Sequence, residues 1–282
     1  MYNFPKTVLP SIDRLKVSQT FYDREKEKIS ITVFSESGMK REQLTPAFNV
    51  VRYLWPYRRC REHTFEASLF LADCPKRLPP NGAVLTEDHV NTGYSYPCQT
   101  MVVFRKQEWF KVFTHETIHY LGIDGELDRA IKLDFFTIPI RISLAETYTE
   151  MWARLIQCKF LGKNKRERDV LLEREKVFSL KNMVRVLRHS NLRYADLFSV
   201  KGAAYREETN VFAYVVLTAI LFEDADAFLD KFYDFQVSTG ELVALIKALC
   251  KSPSFLRRVD AEEKKVSVYG FFRLSANELI LV

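Results

Sequence analysis

His115-Glu116-Thr117-Ile118-His119 sets two of the chain's five histidines four residues apart, with a glutamate directly after the first. On an α-helix, residues i and i+4 lie on one face. Both imidazoles can therefore turn toward a single cation, and Glu116 can reach a metal-bound water without ligating the metal. Catalytic zinc takes three protein ligands and keeps a fourth position open, so the helix alone is insufficient and a third ligand must come from elsewhere in the chain.

Two sources are available. One class of zinc hydrolase takes a third histidine six residues past the second, after an intervening glycine. Gly122 fits that spacing, but the ligand position falls on Gly125, which has no side chain, and its neighbour Asp124 is out of register. The other class draws a glutamate from a downstream helix. The stretch LAETYTE supplies Glu146, 27 residues past His119, and Glu150 one helical turn later. The metal ligands are thus expected to be His115, His119 and Glu146. Glu150 shares the face of Glu146 and is expected to accept the second N–H of a ligating imidazole, which fixes its tautomer.

These residues need two helices to carry them. Trp109, Val112, Phe113, Ile118 and Leu121 recur at helical spacing, which predicts a helix from about Gln107 to Leu121, closed by Gly122. A second helix is predicted over Ser143–Gly162, beyond a linker with Pro139. Trp109 and Trp152 are expected to pack these two helices together. Before them the chain reads as mixed α/β: strands over Lys28–Phe34, Thr64–Ala72 and Thr100–Arg105, a stretch over Pro46–Tyr57 that is helical up to Pro56, and loops over Cys74–Gly82 and His89–Pro97. After them it is mostly helical, over Val170–His189, Val211–Phe222 and Ser238–Cys250, before a strand-like end from Lys265. The expected architecture is α+β: residues 1–122 form an N-terminal α/β lobe ending in the motif helix, and 123–282 form a mainly helical lobe with the third ligand.

Composition narrows the function classes. Hydrophobic residues make up 47% and charged residues 28%, as in a globular protein with a real core. Glycine is scarce, and no phosphate-cradling glycine motif occurs. The start MYNFPKTVLP is not a basic stretch followed by an apolar run, so no signal peptide is expected. No apolar run approaches the roughly 20 residues that span a bilayer. The five cysteines are odd in number, scattered and without a C-x-x-C pair, which points to a reducing, cytoplasmic compartment. Lys159–His189 carries ten Lys/Arg against four acids, a surplus equal to the whole net charge of +6. Mixed signs read as a solvated helical face rather than a nucleic-acid reader. His63 and His89 lack a ligand-spaced partner and read as structural or solvated.

The stretches RKQEWFKVFTHETIHYLGID and IRISLAETYTEMWARLI resemble a group of uncharacterised zinc metallopeptidase-type proteins encoded by large double-stranded DNA viruses. That group shares R-x-x-E-W-x-K-V-x-I-H-E-x-x-H and a later E-T-Y-x-E-x-W-A. VNTGYS (Val90–Ser95) and ETNVFAYVVLTAILF (Glu208–Phe222) are similar to further blocks of it. The likeness covers roughly His89 to Phe222, and Thr114 departs from it where an apolar residue is usual. It implies a viral, gluzincin-type zinc peptidase with a zincin-like fold, at work in the host-cell cytoplasm or the virion.

The chemistry then expected is hydrolysis of a peptide bond by a metal-bound water, with Glu116 as general base. The strand before the motif helix, with Val102, Val103 and Phe104, is expected to be the edge that pairs with an extended peptide. An oxyanion donor besides the metal is needed. Tyr214, Tyr205, His189 and Arg206 are candidates, and the block that resembles the family favours Tyr214. Asn91 and Gly93 are expected to shape a loop above the cleft. The partner is a peptide or protein substrate; no membrane and no nucleic acid are implied. Two alternatives stand beside this: a zincin-like binding or virion protein in which zinc is only structural, and a zinc hydrolase acting on another amide.

Overall fold

The computed structural model describes residues 2–25, 28–60, 64–265 and 272–280. His63 lies outside them.

Alternating side chains build the first half. In β2 (Ile29–Ser35) every second residue is buried, so Ile29, Ile31 and Val33 face the core. β1 (Val17–Tyr22) pairs antiparallel with β2, and β3 (Phe65–Phe70) lies parallel on its other side. Parallel neighbours need a crossover, and α1 (Thr45–Leu54) lies within that connection with Phe48, Val51 and Leu54 buried. β5 (Thr100–Val103) adds parallel to β3, and β4 (Gly93–Tyr96) closes the sheet antiparallel to β5. The strand order is β1-β2-β3-β5-β4.

Two sequence expectations change here. β5 is an interior strand, and the edge on its side of the sheet is β4, which lies in the stretch expected to be a loop. GYSY is too short to show a period against its turn-rich surroundings, and it forms a strand because β5 offers it a complete antiparallel register. Val102, Val103 and Phe104 are buried and cannot line a cleft. Val102 and Phe104 instead pack with Val8, Phe70 and Ala72 on the sheet face that the N-terminal segment covers.

On the opposite face lies α2 (Trp109–Tyr120), with all twelve residues buried. A helix enclosed on every side is a core element. The sheet touches it along β4 and β5, α1 lies beside it, and α3 (Leu144–Leu161) packs against it. Side chains such as Phe113 and Ile118, fully buried, contribute about 1.5–3 kcal/mol each, which offsets part of the cost of burying this helix's polar groups. Beyond α3 come α4 (Lys165–His189), a π-helical turn (Phe212–Leu217) running into α5 (Thr218–Leu221), and α6 (Ala225–Phe232), α7 (Thr239–Leu249) and α8 (Pro253–Glu263). One cluster of buried side chains runs from Ile29 to Leu274, through sheet and helices alike. No helix among the described residues is long and apolar enough to cross a membrane.

Further expectations change. Trp109 donates Nε1–H to the Leu279 carbonyl, and the Trp152 ring lies tilted, 4.3 Å from that of Phe235. Cys60 and Cys98 form a disulfide, although 38 residues separate them. They meet because Arg59 N–H donates to the Leu121 carbonyl and Cys98 N–H to the Tyr120 carbonyl, so the end of α2 gathers both segments. The cysteine pattern therefore no longer argues for a reducing compartment. Of the strand-like end expected from Lys265, residues 266–271 and 281–282 lie outside the described residues, and 272–280 form no strand, because side chains satisfy much of their backbone. Leu274 and Ser275 N–H groups donate to Glu108 Oε1, and those of Ala276 and Asn277 to Glu175 Oε1. The basic residues at the start of α4 (Lys165, Arg166, Arg168, Arg174) are exposed, as a solvated face requires.

Candidate metal centre

α2 starts abruptly and ends in a defined motif. Glu108 takes φ +59 at its head, and Gly122 takes φ +69 past its tail. Ile123 N–H donates to the Ile118 carbonyl and Gly122 N–H to the His119 carbonyl. That bond pair is the Schellman arrangement, and its left-handed residue suits glycine. It reverses the chain immediately after the second histidine. At the start of α3, Ser143 Oγ accepts the Glu146 N–H. Serine three residues before a glutamate usually has that carboxylate folded back on the cap; here it faces α2 instead.

The result is convergence. His115 Nε2 and His119 Nε2 each lie 3.1 Å from Glu146 Oε2, and 3.1 Å from one another. The three side chains form a group that can hold a metal ion. Carboxylates fix the tautomers from behind. His115 Nδ1–H donates to Glu150 Oε2 at 3.0 Å, and His119 Nδ1–H donates to Asp124 Oδ2 at 2.8 Å. A carboxylate only accepts, so each neutral ring keeps its proton on Nδ1 and turns its Nε2 lone pair inward. Two lone pairs and a carboxylate oxygen 3.1 Å apart repel unless a positive charge sits among them. Tetrahedral donors at about 2.0–2.1 Å from a cation stand about 3.3 Å apart, so this triangle fits such an ion with little adjustment.

The surrounding carboxylates favour positive charge at this point, whether carried by protons or by a cation. Burial opposes a charge on either imidazole, yet Glu146 and Glu150 outweigh it at His115, and Glu146 with Asp124 hold His119 well above the usual range. Burial likewise resists ionisation of Glu146, and the two histidines reverse that, leaving its carboxyl well below the ordinary value. Glu150 is held ionised against burial by Lys111, Arg154 and His115. It accepts two bonds from Lys111 Nζ, at 2.9 and 3.0 Å, and one from Arg154 Nε at 2.9 Å. Glu116, by contrast, has its pKa raised, chiefly by burial.

The centre opens on a cleft of about 280 Å³. β4 forms one wall with Gly93, Tyr94 and Ser95; Glu208, Thr209 and Asn210 form another. Glu116, His119, Glu146 and Tyr214 line it between them. Tyr214 lies in the π-helical turn, its ring 5.8 Å from that of His115. The other oxyanion candidates are engaged elsewhere. Tyr205 donates to Glu207, His189 Nε2 donates to the Ala83 carbonyl, and Arg206 is exposed and bonded to nearby carbonyls. Asn91 does border the cleft, where its Oδ1 accepts from Thr209. His89 caps the turn at Thr86 through Nδ1.

The geometry thus brings His115, Glu116, His119, Glu146, Glu150 and Tyr214 together, and excludes Val102, Val103 and Phe104. Sequence reasoning missed Asp124 and Ser95. Asp124 is out of register as a metal ligand, and the Schellman turn delivers it instead to the far nitrogen of His119. The signal was Gly122, whose left-handed conformation folds the next residues back. Ser95 Oγ donates to Glu116 Oε2 at 2.7 Å, and it was lost with the missed strand β4. Neither a family model, nor a curated protein, nor a solved structure matches this chain. The viral likeness rests on the quoted motifs alone.

Proposed function

We propose that this chain is a zinc-dependent peptidase of the gluzincin type, with a zincin-like fold and a peptide or protein substrate. The observation that carries the reading is the pair of acids behind the histidines: Glu150 and Asp124 turn both Nε2 lone pairs onto one point beside Glu146. Two imidazoles and one carboxylate suit zinc, and three protein ligands leave a position open to the cleft. When bound, zinc polarises a carbonyl and acidifies water.

The chain's own residues supply the rest. Glu116 takes the proton of the attacking water and delivers it to the leaving amine, and burial, which raises its pKa, makes it a stronger base than an exposed carboxylate. Burial, with Glu146 and Glu116 nearby, holds the Tyr214 phenol well above its ordinary pKa. Tyr214 therefore stays a donor for the oxygen that gains charge. The extended substrate pairs with the open edge of β4, in place of the expected β5.

The test combines metal analysis with a Glu116→Gln variant and a peptide library. One zinc per chain and cleavage by the wild type, with turnover lost by at least about 100-fold in the variant, supports the reading. One zinc per chain with no cleavage by the wild type would leave a binding protein with a structural metal.

A further inference from the structure

Two side positions of β4 face Glu116, and neither belongs to the metal centre. In a strand, residues two apart share a face, which places Gly93 and Ser95 together. Ser95 Oγ donates to Glu116 Oε2 at 2.7 Å, and among the described residues it is the carboxylate's one hydrogen-bond donor. A Cβ on Gly93 would stand 3.0 Å from Glu116 Cγ, 2.9 Å from Val112 Cγ1 and 2.8 Å from the Val102 carbonyl oxygen. Glycine thus lets the strand lie directly against the stem of Glu116, while the next residue on that face holds its head.

The contact needs a reason. Donating to a carboxylate stabilises the charged form and so weakens it as a base. A hydroxyl placed there works against basicity, unless orientation is worth more. The terminal torsion of glutamate is broad and roughly two-fold, so an unheld head spreads over many directions. Misplacement of a reacting group by about 1 Å can cost about 100-fold in rate. β4 is also one of the two edge strands of the sheet.

We propose that Ser95 is the positioning residue of the general base: it ties Glu116 Oε2 and leaves Oε1 as the oxygen that takes the proton from water. The edge strand then does two jobs, since one short element both docks the peptide and aims the base at it. The register between scissile carbonyl and carboxylate is set within β4 rather than across two elements. This inference rests on the peptidase reading above.

The experiment uses the zinc-loaded protein and a peptide that the wild type cleaves. Ser95→Ala is expected to lower kcat by about 10- to 100-fold while KM stays within about twofold, as for an interaction that matters chiefly in the transition state. One zinc per chain and an unchanged melting temperature show that the fold and the metal centre persist. Ser95→Thr, which keeps the hydroxyl on a residue that suits a strand, is expected to restore kcat to within about threefold of the wild type. A Ser95→Ala enzyme with wild-type kcat overturns the inference and leaves the peptidase reading standing. So does a rise in KM at constant kcat, which would make Ser95 a substrate contact, or a fall that Ser95→Thr does not repair. A zinc-loaded wild type that cleaves nothing removes both.

Discussion

His115 and His119 look equivalent in the motif, yet their second nitrogens are held by acids of different kinds. Glu150 is locked by Lys111 and Arg154 in a fully buried cluster. Removing its charge would strand two cations in the core, so its loss would be felt as instability. Asp124 is also buried, but its cation, Arg129, has a side chain 52% exposed. That asymmetry makes Asp124 the cleaner probe. Asp124→Ala is expected to weaken zinc affinity by about 10- to 100-fold with the fold retained, as for outer partners of metal-bound histidines in general. Competition against a chelator of known affinity measures it. Unchanged affinity would mean that His119 needs no acid to present Nε2.

At the level of elements, the segment between Tyr205 and the π-helical turn positions Tyr214 and one cleft wall. Its anchor is Glu207, whose Oε2 accepts from Tyr205 Oη and from Phe212 N–H, both at 2.7 Å. Burial raises the Glu207 pKa from its usual value to about 7. A carboxyl that is easier to protonate in the folded state stabilises it fully below the unfolded pKa, and that stability is lost as pH climbs through the folded value. With about 1.4 kcal/mol per pKa unit, the loss is about 3 kcal/mol between pH 4.5 and pH 7. Glu207→Gln keeps an acceptor for both donors and removes the titration. The stability of the variant relative to the wild type should therefore rise across that interval, as read from urea midpoints at pH 5 and pH 8. Parallel curves for the two proteins would exclude Glu207 as the group responsible.

On the scale of the whole molecule, residues 272–280 tie distant parts together. They return from the end of the chain to the head of the metal helix, where Glu108 accepts from Leu274 and Ser275 and donates its own N–H to Glu278. The same Glu108 forms a wholly buried pair with Lys76 at 2.6 Å. Burial lowers the Lys76 pKa to about 8, although Glu108 opposes the shift. Breaking such a pair leaves an uncompensated charge, so Lys76→Met is expected to cost about 3–5 kcal/mol. Adding Glu108→Gln should cost less than the sum of the two single changes, because the partners are in contact. Chemical denaturation of the four proteins closes that cycle. Strict additivity would show that the pair is not coupled.

What the sequence determined by itself is the chemistry that lies within one helical turn or within one period. His115 and His119 share a face because an α-helix makes i and i+4 neighbours, and Glu146 with Glu150 repeats that rule on a second helix. Alternation in ISITVFS and helical spacing from Trp109 onward located β2 and the metal helix within a residue or two. Only the tertiary structure decided which strand is the edge, since pairing order depends on partners far along the chain and GYSY is too short to carry a pattern. It also decided that Asp124 serves His119, that Ser95 meets Glu116, and that Cys60 meets Cys98. Each of these contacts depends on where a turn or a neighbouring element sends the backbone, and residue spacing records no direction in space.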